Sequence, residues 1–201
     1  MTDHREEENK TGQNTVVPSG GEKNPFWKEA LLFVRDVVIY MGIVMIIANF
    51  IIRPVQVLGS SMYPTLEDKE YGFSNLIGLR MDGIKRFDIV TIYLEDKDEY
   101  LVKRVVGLPG ETVSYTGGQL YINGEAVGED FFDEEYRASY GNDFMENVEP
   151  VVLGEDEYYC LGDNRPLSND SRYYGPFTRD QIRSKGVLII FPFTKMGFHT
   201  W

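Results

Sequence analysis

The chain has 201 residues, and its 32 acidic and 20 basic side chains give it a net charge of −12. Such an excess of negative charge argues against nucleic-acid binding, because no basic stripe is present to neutralise phosphates. A structural zinc site is not expected either, because Cys160 is the sole cysteine and the only histidines are His4 and His199. No cofactor fingerprint occurs, so the sequence predicts neither a metal nor a cofactor.

The first 28 residues are predicted to form a polar tail. Residues 1–24 lack apolar periodicity and include the run Glu6-Glu7-Glu8, which is typical of a disordered segment.

An apolar segment follows the tail. Val37 to Ile52 are sixteen residues with one strongly polar member, fewer than the ~20 that span a bilayer, so a buried globular helix is the alternative. Extension back to Ala30 supplies the missing length if Arg35 and Asp36 lie near the interface. Amphipathic aromatic residues typical of membrane interfaces are also present: Phe26, Trp27 and Tyr40. We therefore predict one N-terminal transmembrane helix, the anchor, at residues 29–53.

Residues 54–201 are predicted to form a mainly β domain without an amphipathic helix. Candidate strands are 55–58, 88–93, 100–106, 112–115, 119–122, 125–127, 157–161 and 186–191. Gly117-Gly118 and Asn123-Gly124 supply the positive φ angles that tight hairpins require. Residues 112–127 are therefore predicted to form consecutive hairpins.

A strongly acidic segment lies between Glu125 and Glu157, where twelve acidic residues and one basic residue alternate with aromatic ones. A calcium or partner site is one interpretation of this composition. Because the spacing of an EF-hand is absent, a solvated face is the prediction, and no chemistry is assigned to the segment.

The turn from Gly59 to Leu66 presents two hydroxyls directly after an apolar, alternating stretch. Gly59 permits close backbone approach, and Pro64 disfavours a helical conformation of the preceding residue, so Ser60 and Ser61 are placed at a strand end. One interpretation is a presented nucleophile. The other is a loop whose hydroxyls bond their own backbone.

A serine nucleophile needs a base, and both histidines lie near the chain ends, which argues against a Ser-His-Asp triad. A lysine serves as base only if burial lowers its pKa, so the candidate should lie within an apolar strand. Lys103, between Val102 and Val105, meets this condition, although an outward-facing lysine is the alternative. Side chains alternate along a strand, so one of Lys103 and Arg104 is expected to face inward.

Several blocks together resemble type I signal peptidase, a Ser-Lys protease that removes secretory leader peptides. The sequences Ser-Met-Tyr-Pro-Thr-Leu at 61–66, Val-Lys-Arg-Val-Val-Gly-Leu-Pro-Gly-Glu at 102–111 and the stretch 162–176 are similar to blocks of that family. Residues 86–90 are similar to its Arg-Gly-Asp-Ile-Val block, with Phe87 in place of glycine. The resemblance implies coiled antiparallel β-sheets.

The resemblance also implies residue roles. Ser61 matches the nucleophile and Lys103 the general base, whereas the adjacent Ser60 is the rival that the chemistry alone does not separate. The Ser61 N–H would bind the oxyanion. Some members carry a serine two positions before the nucleophile, where this chain has Gly59, so the second oxyanion donor stays open.

Four further residues match positions that support the site. Ser168 matches a serine that hydrogen-bonds the catalytic lysine. Asp163, Asp170 and Arg172 match positions that hold the third block in place, with a buried pair expected between Asp170 and Arg172.

The family alignment gives a substrate pocket lined by Val57, Met62, Leu66 and Val102. A substrate added as a strand points alternate side chains at the enzyme. An apolar, shallow pocket implies cleavage after a small-x-small motif.

By resemblance, the partners are signal-peptide-bearing preproteins and the lipid bilayer. The protein is expected in the cell membrane with a cytoplasmic tail, one anchor of the Gram-positive kind and an extracytoplasmic peptidase domain. Two alternatives remain at this point: a self-cleaving Ser-Lys repressor, and a non-enzymatic membrane-anchored β-domain.

Overall fold

The computed structural model describes residues 25–199, apart from the side chains of Pro25, Asn49 and Asn142. Most of the predicted tail therefore lies outside the described residues. The chain divides into two compact units, one ending at Ile43 and one beginning at Val44.

Helix α1, Pro25–Ile46, opens the described chain and is followed by a π-helical turn, Ile47–Ile51. The predicted anchor, 29–53, covers α1 from its fifth residue onward and the π-helical turn, and it ends within strand β1, Ile52–Gln56. Within residues 25–199, no helix has both the length and the apolar character that crossing a membrane requires.

Eight strands form the larger, antiparallel sheet. In addition to β1 they are β2 Tyr71–Asn75, β3 Ile89–Leu94, β4 Glu99–Gly107, β9 Glu157–Leu161, β10 Phe177–Thr178, β11 Ile182–Phe191 and β12 Gly197–His199. The order is β1-β2-β11-β3-β4-β9-β10, and β12 pairs with β11. A shift in register occurs at Gly186, which has a φ of 66°, and such bulges increase the local twist of a strand.

The smaller sheet has the order β7-β6-β5-β8 and is also antiparallel. Its strands are β5 Thr112–Thr116, β6 Gln119–Ile122, β7 Glu125–Val127 and β8 Val148–Val152. Gly117-Gly118 and Asn123-Gly124 form the two turns with positive φ angles at all four positions. The predicted consecutive hairpins are present, and the mainly β fold class is confirmed.

Short helices connect the strands of the domain, for which no amphipathic helix was predicted. They are α2 Leu76–Met81, α3 Glu134–Tyr140 and α4 Ser171–Tyr174. Each has fewer than two full turns, which is too short for an apolar period to be visible in sequence. Each begins at a side-chain cap, supplied by Asn75, Asp133 and Asp170.

Buried side chains form three clusters. One packs on the smaller sheet around Tyr115 and Leu120, and one lies around Val90, Ile92 and Val105. The third contains Val57, Met62, Leu66, Ile89, Val187 and Ile189. This third cluster matters for function, because it fixes the turn that follows β1.

The acidic segment has a solvated face, as predicted, because all but two of its twelve acidic side chains are exposed, but it also has a buried side. Phe132, Phe144 and Met145 are buried in the cluster on the smaller sheet, and Glu129 is buried as well. The aromatic residues that alternate with the acidic ones supply the buried side of the segment, while α3 keeps its carboxylates exposed.

Candidate active site

The turn after β1 is held by backbone hydrogen bonds within it and by two apolar side chains that pack into the core. Tyr63 N donates to Ser60 O at 3.1 Å, and Leu66 N donates to Met62 O at 3.0 Å. Met62 and Leu66 are fully enclosed by the third cluster. Gly59 adopts a φ of 82° and donates its N–H to Asp68 Oδ1 at 2.8 Å. Ser61 is therefore presented on a rigid turn.

Lys103 lies in β4, paired with Val90 of β3, and its Nζ donates to Ser61 Oγ at 2.7 Å. The side chain is only 2% exposed. This burial lowers the pKa of Lys103 to about 8, against the opposing effect of the Asp170 and Asp163 charges. A lysine in this state loses its proton close to neutral pH and then has a free lone pair beside the serine hydroxyl.

Arg104, the neighbour of Lys103, is also buried, so both side chains are enclosed, whereas only one of the two was expected to face inward. Both faces of β4 are covered: Arg104 Nε and Nη2 donate to the two carboxylate oxygens of Asp163 at 2.8 and 2.7 Å. The Thr65 hydroxyl donates to Asp163 Oδ2 at 2.5 Å. Asp163 thus joins the strand that carries Lys103 to the turn that carries Ser61.

Asp170 and Arg172 form the second ion pair at the site, with Arg172 Nε and Nη2 donating to the carboxylate at 2.9 and 2.8 Å. Gly162 N donates to the same carboxylate at 3.0 Å. Burial by itself would raise the pKa of Asp170, but the hydrogen bonds and charge of Arg172 and the Gly162 N–H outweigh it and lower the pKa. Asp170 therefore stays charged near the buried lysine.

Ser168 does not make the hydrogen bond to Lys103 that the resemblance implies. Its buried hydroxyl acts instead on the Asp170 carboxylate, whose pKa it helps to lower. The side chain packs over Gly162, where a Cβ would lie 2.1 Å from Ser168 Oγ and 2.3 Å from Ser61 O. Lys103 Nζ instead donates to Ser61.

Asn164 is a site residue that the sequence reasoning missed. Its backbone N donates to Ser61 O at 3.0 Å, and its Nδ2 donates to Ser60 O at 3.0 Å. The only signal available was its position inside the block 162–176. Asn164 therefore holds the backbone carbonyls on both sides of the Ser61 Cα.

Two further side chains near the site, Cys160 and Ser60, make no hydrogen bond to Lys103 Nζ in the described part of the chain. Cys160 lies fully buried in β9, and burial raises the pKa of its thiol, so it remains protonated and unreactive. Ser60 lies beside Ser61, but Lys103 Nζ bonds Ser61 Oγ. Among residues 25–199 no group of three or more His, Cys, Asp or Glu side chains is arranged to hold a metal.

A cleft of about 640 Å³ opens beside Ser61 and Lys103. Residues 53–58 line one wall and residues 98–103 line the other, with Met62, Ser74 and Thr91 between them. Arg53 and Tyr100 meet across it at 3.5 Å. Of the predicted pocket residues, Val57, Met62 and Val102 line the cleft, whereas Leu66 lies behind them in the third cluster.

Both walls of the cleft are strands with an unpaired edge. In the described chain β1 pairs only with β2, and β4 pairs with β9 only from Arg104 onward. The backbone of residues 99–103 is therefore free on one side. An extended peptide fits such a site, because it hydrogen-bonds strand edges without regard to its sequence.

Comparison with known proteins identifies the relatives of this chain. The family model for "Signal peptidase, peptidase S26" matches residues 30–191. A signal peptidase I from Bacillus amyloliquefaciens is 36% identical over 183 residues, which cover 90% of this chain and 98% of the relative. Signal peptidase IB from Staphylococcus aureus strain MRSA252 is 32% identical over 182 residues, covering 86% and 95%.

Among solved structures, a signal peptidase I from Enterococcus faecalis V583 is 33% identical. It matches 51% of this chain and 95% of its own, with a TM-score of 0.46.

A serine hydroxyl in contact with a buried lysine amine, beside a cleft for an extended chain, is the arrangement expected of a Ser-Lys peptidase. Given the extent of the family match and the identity to its relatives, the chain belongs to the signal peptidase family, peptidase S26, and is a serine endopeptidase that removes signal peptides. The repressor and non-enzymatic alternatives are set aside by this membership.

Proposed function

We propose that Ser61 is the nucleophile and Lys103 the general base of this peptidase. The observation that carries the proposal is the 2.7 Å contact between Lys103 Nζ and Ser61 Oγ, together with burial that lowers the lysine pKa to about 8. Unprotonated Lys103 takes the Ser61 proton as Oγ bonds the scissile carbonyl carbon. The ammonium then gives that proton to the leaving amine, and an ester to Ser61 remains.

The second half of the reaction uses the same groups. Lys103 removes a proton from water, the hydroxide attacks the ester carbon, and Ser61 Oγ leaves with the proton that Lys103 returns. The Ser61 N–H donates to no group of the described chain and is the proposed oxyanion donor. The Gly59 N–H is already donated to Asp68, so it does not serve as the second donor.

The cleft supports a preference for small-x-small before the cut. A substrate strand between β1 and β4 directs every second side chain inward. The side chain next to the scissile bond would meet Val57, Met62 and Val102, which leave an apolar pocket closed from behind by Leu66. A charged side chain would be buried there without a partner, and a large one would clash.

The proposed partners are preproteins that carry signal peptides, together with the lipid bilayer, in which residues 29–53 act as the anchor. Most large apolar side chains of α1 are exposed, and its charged pair, Arg35 and Asp36, is joined at 2.8 Å. A second exposed apolar patch lies at the C-terminal end of the larger sheet: Phe191, Phe193, Met196 and Phe198. Exposed apolar patches rimmed by polar residues are typical of membrane contact.

Incubation of detergent-solubilised protein with a leader-bearing preprotein tests the proposed residues. The expected product begins directly after a small-x-small motif. Ser61→Ala and Lys103→Met should be inactive, as should Lys103→Arg, whose guanidinium stays protonated. Ser60→Ala and Cys160→Ser should retain most activity, and an inactive Ser60→Ala with an active Ser61→Ala would overturn the nucleophile.

Protease protection tests the proposed topology, with the tail of residues 1–28 inside and the domain of residues 54–201 outside. Protease added to intact protoplasts should remove the β domain and spare the tail. Loss of the tail alone would contradict this orientation.

A further inference from the structure

The acidic segment contacts all three arginines that surround the site. We use "brace segment" for residues 129–146, which include α3. Within it, Glu129 accepts hydrogen bonds from Arg165 and, at 3.0 Å, from Tyr115 Oη, and all three side chains are buried. Arg165 also donates to Gly162 O at 3.1 Å. The start of the brace segment is thus tied to the block that contains Asp163 and Asn164.

The brace segment also contacts the other two arginines at the site, Arg104 and Arg172. The Phe131 ring centroid lies 4.0 Å from the Arg104 guanidinium, within the range of a cation–π contact. Arg172 Nη1 lies 3.7 Å from Met145 Sδ and 3.5 Å from Glu146 Oε1. The brace segment therefore touches the partners of both Asp163 and Asp170.

Tyr136 of α3 connects the brace segment to the nucleophile turn, by which we mean the turn from Gly59 to Leu66 that carries Ser61. Tyr136 Oη donates to the carbonyl oxygen of Tyr63 at 3.2 Å, and the two rings pack edge to face with centroids 5.8 Å apart. The Tyr136 ring is held in turn by Phe132, Tyr140 and Phe144, at 6.2, 5.5 and 5.9 Å. Burial raises the pKa of Tyr136, so its hydroxyl keeps the proton that it donates.

We propose that the brace segment fixes the nucleophile turn and that Tyr136 is a positioning residue for Ser61. Asn164 holds the carbonyls of Ser60 and Ser61, and Tyr136 holds that of Tyr63, so two distant segments secure both sides of the nucleophile. None of the described side chains of the brace segment lines the cleft. Tyr136 therefore acts on the attack by Ser61 and not on substrate binding. The catalytic part of this inference rests on the proposed role of Ser61.

The first test is Tyr136→Phe, which removes the hydroxyl and keeps the ring that packs in the aromatic group. We expect kcat to fall about tenfold with KM within about twofold, because misplacement of a reacting atom lowers the rate of the chemical step. The melting temperature should be unchanged. Tyr121→Phe is the matched control, because Tyr121 lies on β6 and its hydroxyl makes no hydrogen bond in the described chain; it should behave as wild type. An unchanged kcat for Tyr136→Phe, or an equal loss in Tyr121→Phe, would overturn the proposal.

The second test does not depend on activity. The amides of Tyr63 and Leu66 form the hydrogen bonds that close the turn, so their hydrogen exchange reports its opening. Exchange at both should be at least about threefold faster in Tyr136→Phe than in wild type and Tyr121→Phe. Equal exchange rates in all three proteins would contradict the proposal that the brace segment fixes the turn. If wild-type protein instead cuts no preprotein, the proposed function fails while hydrogen exchange still decides on the brace.

Discussion

Arg104 and Asp163 form a two-pronged ion pair whose side chains are 1% and 0% exposed. Arg104 belongs to the strand that carries Lys103, and Asp163 belongs to the block that holds Asn164. The hydroxyl of Thr65, in the turn that carries Ser61, donates to the same carboxylate. The placement of Ser61 relative to Lys103 therefore depends on a carboxylate charge that has no access to water.

Asp163→Asn should test that dependence. The substitution keeps the shape but leaves the Arg104 charge without its partner, and we expect the free energy of unfolding to fall by about 3–5 kcal/mol. Urea denaturation measures it. Glu95→Gln is the control, because the Arg183–Glu95 pair is mostly exposed at 3.4 Å and should change stability by less than ~1 kcal/mol. Equal effects of the two variants would contradict the structural role of the buried pair.

The pH dependence of turnover should follow the proton on Lys103. Burial lowers its pKa to about 8, so kcat/KM should rise with pH and reach half of its maximum near that value. Initial rates with a leader peptide between pH ~6 and ~10 give the profile. A rate that is independent of pH, under conditions where chemistry limits turnover, would count against Lys103 as the base.

The same pKa shift predicts how stability changes with pH. The folded protein releases the Lys103 proton at about 8 and the unfolded chain at 10.5, so the unfolded state binds more protons between these values. Stability should therefore rise with pH across this interval. Lys103→Met removes the titrating group. The unfolding free energy of wild type minus that of the variant should therefore increase as the pH rises through this interval. A difference that stays constant from pH 8 to 10.5 would show that burial does not depress this pKa.

Specificity next to the cut should depend on Val102. Val102→Gly enlarges the pocket formed with Val57 and Met62, so kcat/KM for leucine before the cut should rise roughly tenfold relative to alanine. Val102→Ala should give an intermediate ratio. The ratio is measured by competition between two otherwise identical leader peptides. Wild-type protein that cuts both equally well would refute the proposed pocket.

Local sequence patterns predicted the strands well where turn chemistry is explicit. Gly117-Gly118 and Asn123-Gly124 dictate hairpins whatever the tertiary context, and β5, β6 and β7 lie where they were predicted. Strand β2 was missed because Gly72 weakens the strand signal. The reason for that glycine lies in tertiary structure, since a Cβ would meet Leu188 O of β11 at 2.3 Å.

Block resemblance is what singled out Ser61 and Lys103 as the proposed catalytic pair, whereas composition and alternation left other interpretations open. Alternation alone would have turned one of Lys103 and Arg104 to solvent, and the burial of both arises from what packs on each face of β4. The role of Asn164 and the contact between Tyr136 and Tyr63 depend on residues far apart in sequence. No local pattern contains that information.

The unpaired edges of β1 and β4 make the substrate-free protein prone to self-association. Exposed N–H and C=O groups on a strand edge template pairing with any extended chain, including a second copy of the same molecule. A substrate-free sample should therefore self-associate as its concentration rises, and a non-cleavable peptide that fills the cleft should keep it monodisperse.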